Sequence, residues 1–425
     1  MIQGVTVPTR SKSPARSIFL YFGSSTILLL LVAPDGSWLD VATAYILQMQ
    51  LHATPQQISW FRVLTGLPIY VGFLFGLVRD VWNPFGLRDR GYLRIFSVLT
   101  ALILVALAVL DVSYALLFIG VLLVSISTRF LLAAQQGLMG LVAQEHLMSG
   151  RMAALYSACY FIPLILGALF AGAAADALTP RGQFLILAML ALSIGIFGFL
   201  RPRSIFEQTY DQPEAQGSDI RGDLRRLFSD RASFAAVAMI FLWQFAPGLQ
   251  TVMQFHLTEH LGADESAFGY WTAMYYVSFL PGVIGYGYVC QRIAYGRLGT
   301  NAILFSAPLN LVLPFLTTPT QMMLFAIPLG LSAGAAFAAL YDIAIRACPP
   351  GLHGALMMAV AGSNQMGWRV GDAFGTWLYT FGNAHGFLFA SIGTAATSAA
   401  APAFLALAPR ALLNSKDGEV IARPS

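Results

Sequence analysis

A chain of 425 residues that is 57% hydrophobic and only 10% charged is too apolar for a soluble domain, in which roughly a quarter of the residues carry charge. Its formal net charge of +4 does not signal a nucleic-acid partner, because the basic residues sit in loops between apolar runs, as a membrane-orientation signal requires. The composition indicates a polytopic protein of the lipid bilayer, and Cys159, Cys290 and Cys348, which have no metal-ligand spacing, read as small core residues.

A spanning helix needs about 20 mainly apolar residues. Twelve such runs are predicted: 18–48, 56–78, 92–110, 113–141, 151–175, 182–200, 232–257, 265–289, 298–317, 320–346, 353–380 and 385–408. Arg10, Lys12 and Arg16 precede the first run. Asp35 and Asp40 within it, and the lack of a small-residue cleavage site, predict an uncleaved first helix. Pro34, Pro68, Pro163, Pro247, Pro281, Pro308 and Pro328 fall inside the runs. Each removes a backbone donor and favours a kink.

The loops alternate in charge. One set carries Arg79, Arg88, Arg90, Arg94, Arg151, Arg201, Arg203, Arg292, Arg297 and Arg346, among others, whereas the opposite set carries only Arg181. Positive residues stay inside, so both termini are expected in the cytoplasm and the protein in the plasma (inner) membrane. The one long polar stretch, 201–231, reads as a cytoplasmic linker with a short amphipathic helix near 219–228. It separates a six-helix bundle at 1–200 from a second bundle with a short cytoplasmic tail at 232–425.

An internal repeat supports this division. Ala33-Pro34 recurs as Ala246-Pro247 and Leu67-Pro68 as Leu280-Pro281, with equal spacing. In the same register Gly72 falls on Gly285 and Arg79 on Arg292. Two parallel six-helix repeats joined by a linker are the pattern of the major facilitator transporters. The expected fold is thus an all-α membrane protein of twelve transmembrane helices in two six-helix pseudo-repeats.

Three stretches resemble a narrower group. Gly66-Leu67-Pro68, Gly76, Asp80, Pro84-Phe85-Gly86, Arg88, Arg90 and Tyr92 follow the pattern of the folate–biopterin transporter family in its second helix and the loop after it. Trp243, Gln244 and Pro247 with Leu261-Gly262, and the helix-one exit from Leu51 to Pro55, match further motifs of that family. The resemblance implies a secondary transporter of a small organic anion, folate- or pterin-like and coupled to protons, working by alternating access as a monomer. The wider set it resembles includes muropeptide permeases and acetyl-CoA transporters, so those solutes, or a transporter-like assembly protein that moves nothing, are the alternatives. Two departures stand out. The family's Lys-Pro pair four residues after the helix-two proline is Gly72-Phe73 here, and Asp89 replaces a residue that is often basic.

Ionisable groups inside spans cost about 2.5–3.5 kcal/mol each on insertion scales, so they usually face a cavity or a partner. Arg129, with Gln136 on the same helical face, is a candidate for binding a carboxylate or phosphate, or else an ion pair holding helix four to helix one. Asp35 and Asp40 follow the Pro34 kink and are candidates for carrying a proton, as is Asp372. Arg369 and Asp372 stand three apart and can pair on one face; alternatively Arg369, with Gln365 one turn before it, meets substrate. Gln244, Asn364 and Trp368 supply amide and aromatic surface suited to a flat molecule. Arg79, Asp80, Arg88, Arg90, Arg292 and Asp342 read as gating residues, the last with Arg346 four residues on. No phosphate-binding loop, dinucleotide fingerprint or hydrolase motif is present. The sequence therefore points to no enzyme, no cofactor and no metal.

Overall fold

A computed structural model of the protein describes residues 15–34, 37–206, 220–264 and 266–420. Asp35, one of the candidate proton carriers, lies outside the described residues. The chain is helical throughout, with no β-strand among the described residues. In order, the helices are α1 (Ala15–Val32), α2 (Ser37–Tyr45), α3 (Pro55–Tyr70), α4 (Gly72–Val81), α5 (Asp89–Val109), α6 (Tyr114–Glu145), α7 (Ser149–Ala177), α8 (Pro180–Phe197) and the single turn α9 (Arg203–Phe206). After the linker come α10 (Ile220–Ser229), α11 (Arg231–Gln244), α12 (Thr251–Phe255), α13 (Ala267–Val289), α14 (Tyr295–Val312), α15 (Pro319–Ala347), α16 (His353–Gly382), α17 (Gly386–Ala400) and α18 (Arg410–Asn414).

By length and apolarity alone, nine stretches of the described residues can cross a membrane, the last holding both α16 and α17. Large apolar side chains such as Leu102, Met189 and Phe305 are more than half exposed. In a helical bundle of this composition they face lipid, because the backbone groups beneath them are already bonded within the helix.

The prolines act unequally. The first expected span divides into α1 and α2 at Pro34, the second into α3 and α4 just after Pro68, and the seventh into α11 and α12 around Pro247. Helices run through Pro163, Pro281, Pro308 and Pro328.

Helix starts differ between the two ends of the bundle. At the end poor in arginine, the Thr-Pro starts are self-capped. Thr54 forms a capping box with Gln57 ahead of Pro55, and Thr179 and Thr318 each accept from the third residue of α8 and α15. A hydroxyl at the N-cap and proline after it satisfy or remove the orphan donors of the first turn. At the arginine-rich end, α16 begins after Leu352, which offers no side-chain cap. Its first turn is completed from elsewhere in the chain.

Candidate functional site

A cavity of about 80 Å³ lies mainly within the second half of the chain, with one wall from α7. Gln244, Ala246, Leu249 and Gln250 line it from the break between α11 and α12. Trp271, Thr272, Tyr275, Tyr276 and Phe279 come from α13, Asn364 and Trp368 from α16, and Tyr160, Phe161 and Leu164 from α7. Ser306 and Asn310 of α14 and Thr394 and Ser398 of α17 complete the polar surface. No Lys, Arg, Asp or Glu is among these lining residues.

The aromatic walls are ordered stacks. Trp271 lies parallel to Tyr275 at 5.4 Å, one helical turn on, and Phe268 continues the stack at 6.2 Å. Three buried polar atoms on the lining meet no protein partner among the described residues: the indole N–H of Trp271 and the side-chain oxygens of Asn310 and Asn364. Buried polar groups are nearly always satisfied, so these atoms offer one donor and two acceptors to whatever enters.

Beneath the cavity, toward the arginine-rich end, rings from both halves of the chain close the way. Phe161 of α7 meets Phe279 at 3.8 Å and Phe337 at 5.3 Å, and Tyr156 meets Tyr341 at 4.7 Å. Phe337 and Tyr341 are six to ten residues from the end of α15, or roughly 9–15 Å at 1.5 Å per residue. Tyr160 also accepts from Gln365 Nε2 at 3.1 Å.

Below this plug is a polar seam. The backbones of α4 and α16 touch at Gly76 and Gly354, and a Cβ at Gly76 would fall on the Gly354 carbonyl. This close approach lets Asp80 of α4 accept from Gly354 N at 3.0 Å and Ala355 N at 2.7 Å, capping the first turn of α16. Arg79 donates to Asp80 at 2.7 Å and holds Asp89 bidentately, both bonds at 2.6 Å. Asp89, the departure noted in the sequence, is thus a fixed counter-ion for Arg79. Gln144 of α6 donates to the carbonyls of Ile345 and Cys348 at 2.5 and 3.1 Å.

The tail closes the seam a second time. Asp417 accepts from Gly150 N at 2.8 Å and Arg151 Nε at 2.5 Å, at the start of α7. Its segment is anchored by Tyr295 N donating to Ser415 O and Asp417 N donating to Cys290 O, both at 3.1 Å. Arg346 donates to Asp342 at 2.7 Å and to Ser415 Oγ at 2.9 Å, and Tyr286 donates to Asp342 at 2.8 Å. Burial, with Asp417 and Asp342 nearby, holds the Cys290 thiol well above its ordinary pKa. At the opposite end a vestibule of about 960 Å³ stands open between α3 and α16, with Arg62, Tyr70 and Arg369 on its walls. The structure is closed at the arginine-rich end and open at the other.

Of the expected substrate-binding residues, Gln244, Asn364 and Trp368 line the cavity. Gln365 holds Tyr160 at its edge, and Arg369, next to Trp368, faces the vestibule. Arg129 and Gln136 are buried in α6 away from the cavity lining, and Gln136 donates to Tyr156 at 2.8 Å. The Arg369–Asp372 pair suggested by spacing does not form. Asp372 instead accepts from Thr251 N and Thr251 Oγ1, at 2.9 and 2.8 Å. Asp40 pairs with Arg62 at 2.9 Å, with both side chains about half exposed. Among the expected gating residues, Arg79, Asp80 and Asp342 lie in the seam, but Arg90 is engaged within the first half, donating to the Gly198 carbonyl at the end of α8 at 3.0 Å. Arg88 precedes α5 with a left-handed φ of 46°, and Arg292 is exposed. Asp417, Gln144 and Tyr286 were not anticipated, because their partners are far away in the sequence.

A bundle of this kind, with an internal cavity closed at one end and open at the other, is a multi-pass membrane protein with the fold of a major facilitator superfamily transporter. The solved structures it resembles bear this out. The transporter FucP in its outward conformation superposes with a TM-score of 0.69 at 15% identity, over 91% of this chain and 97% of that one. The proton:xylose symporter XylE gives 0.68 at 14%, over 96% and 98%. The human organic anion transporter MFSD10 gives 0.61 at 14%, over 92% and 99%. The BT1 family model matches residues 36–307, well over half of the chain, and the chain belongs to the BT1 family. No curated protein matches it.

Proposed function

We propose that this protein is a secondary transporter that moves a small, flat, hydrogen-bonding organic solute by rocking its two halves about the aromatic cavity. The observation that carries this reading is the lining itself: stacked aromatic faces with amides and hydroxyls, no formal charge, and three unpartnered polar atoms at Trp271, Asn310 and Asn364. A pterin-like ring fits that chemistry. It offers a face to stack and an edge of alternating donors and acceptors. The anionic part of a folate-like solute points toward the vestibule, where Arg369 stands one residue from Trp368. A guanidinium suits a carboxylate there.

The arginine-rich end is the cytoplasmic one by the charge rule, which puts both termini and the linker in the cytoplasm; in this reading the protein works as a monomer in the plasma membrane. Coupling to protons is assigned to Asp35 and Asp40 in the first span. Arg129, buried in α6, sets the charge of that half rather than meeting the solute. Two structures of this fold are of proton symporters by name and one is of an organic anion transporter, which accords with this assignment without specifying a solute.

The test is uptake of labelled biopterin and folate into proteoliposomes under an imposed pH gradient. Saturable uptake that is lost in Asp35→Asn and weakened in Trp368→Ala supports the reading. Uptake absent from a monodisperse wild-type preparation contradicts the solute class.

A further inference from the structure

The break around Pro247 forms one wall of the cavity. Breaking a helix inside a membrane frees backbone donors and acceptors that lipid cannot satisfy. Here side chains of α16 and α17 satisfy three of them. Thr397 Oγ1 donates to Phe245 O at 2.8 Å, and Gly248 N donates to Thr394 Oγ1 at 2.8 Å. Gly375 of α16 leaves room for the Pro247 carbonyl, which a Cβ there would strike.

The break also frees the first backbone donor of α12, Thr251 N. The N-cap position of this helix is held by Gln250, with φ −118° and ψ −111°, whose side chain makes no capping bond. Gln250 lines the cavity instead. The cap comes from Asp372, whose two oxygens take Thr251 N and Thr251 Oγ1 at 2.9 and 2.8 Å. A side-chain acceptor on the first turn is what a helix start requires, and supplying it from a neighbouring helix leaves the N-cap side chain free.

We infer that Asp372 is a positioning residue of the solute site: it caps α12 from α16, so that Gln250 and the broken wall present themselves to the cavity instead of capping their own helix. The inference rests on the cavity being the solute site, and it assigns Asp372 a role other than proton carriage.

The test combines amide exchange over 245–255 with uptake of labelled biopterin, comparing wild type, Asp372→Asn, Asp372→Ala and Thr251→Val. Asn reproduces both contacts, accepting from Thr251 N and donating to Thr251 Oγ1, but cannot titrate. Asp372→Ala is expected to speed exchange at 248–252 by an order of magnitude and to raise KM about ten-fold with a smaller change in maximal rate. Thr251→Val does so to a lesser degree, and Asp372→Asn restores protection, KM and pH-driven uptake. Two outcomes overturn the inference: exchange unchanged in Asp372→Ala, or pH-driven uptake lost in Asp372→Asn while protection is retained. If the exchange pattern holds but wild type takes up no biopterin, the capping role stands and the solute assignment fails.

Discussion

Asp80 and Asp417 do the same thing on opposite halves of the chain: each carboxylate crosses the seam and caps the first turn of a helix belonging to the other half. Asp80 of α4 takes Gly354 N and Ala355 N of α16, and Asp417 of the tail takes Gly150 N of α7. The repeat explains the asymmetry of their origins. In the register that places Arg79 on Arg292, Asp80 falls on Ile293, so the second repeat has no acid at the matching position and the tail supplies one. Helices at the open end carry their own threonine caps, and these do not depend on how the halves sit. The caps of α16 and α7 exist only while the seam is closed.

Removing the tail carboxylate is therefore expected to loosen the closed end without unfolding either half. Losing a cap costs about 0.5–2 kcal/mol, and Arg151 also loses its partner. In Asp417→Ala, and in a chain ending before Ser415, a spin-label pair placed across α7 and α15 at the arginine-rich end is expected to show a larger population of long distances. An unchanged distance distribution contradicts the second closure.

Gly76→Val should act through sterics alone. The added atoms collide with the Gly354 backbone, and overpacking of this kind costs about 1–3 kcal/mol. The expected result is a shift toward the state open at the arginine-rich end, with thermal stability of the separate halves little changed. The same spin-label pair detects it.

Asp342→Ala is predicted to be the most damaging of the seam substitutions. Arg346 is 2% exposed and bonded to Asp342 at 2.7 Å. Stranding a buried charge typically costs about 3–5 kcal/mol, so the midpoint of thermal unfolding in detergent should fall sharply. Asp40→Asn should be nearly silent in the same assay, because its pair with Arg62 is half exposed and surface pairs contribute about 0–1 kcal/mol.

Within the cavity, Asn364→Ala removes one hydrogen-bonding group from the lining. A neutral hydrogen bond contributes about 0.5–1.5 kcal/mol, so binding of biopterin, followed by quenching of tryptophan emission, should weaken by about two- to twelve-fold. Equal affinity would place the solute elsewhere.

What the sequence disclosed follows from the range of the forces involved. Apolar run length is local, and the spans predicted at 113–141 and 92–110 became α6 at Tyr114–Glu145 and α5 at Asp89–Val109. The amphipathic linker helix predicted near 219–228 appears as Ile220–Ser229. Spacing could propose Arg346 for Asp342, four residues away on one helix. It misled for Asp372, which lies three residues from Arg369 but bonds to Thr251, a partner 121 positions distant. Nothing local marks such a partner. The contacts of the short cytoplasmic tail were illegible for the same reason. The one available signal was the missing acid at Ile293, which only a residue-by-residue comparison of the repeats exposes. Arg129 is a conspicuous charge within a spanning helix, yet the cavity lining is uncharged, built from aromatics and amides whose sequence spacing also suits ordinary packing.

The native thiols provide the most direct test of the closed seam. Cys290 and Cys348 are buried there, at 1% and 0% exposure, whereas Cys159 sits within the first half on α7 near Gly23. The measurement is the rate of maleimide labelling at each cysteine, resolved by peptide mass, in wild type, Asp80→Ala, Asp417→Ala and the double variant. Slow labelling of all three in wild type is predicted, with roughly ten-fold faster labelling of Cys290 and Cys348 in each single variant, faster still in the double, and Cys159 unchanged. Labelling of Cys290 and Cys348 that is equally slow in all four proteins would contradict the claim that the two carboxylates hold this end shut.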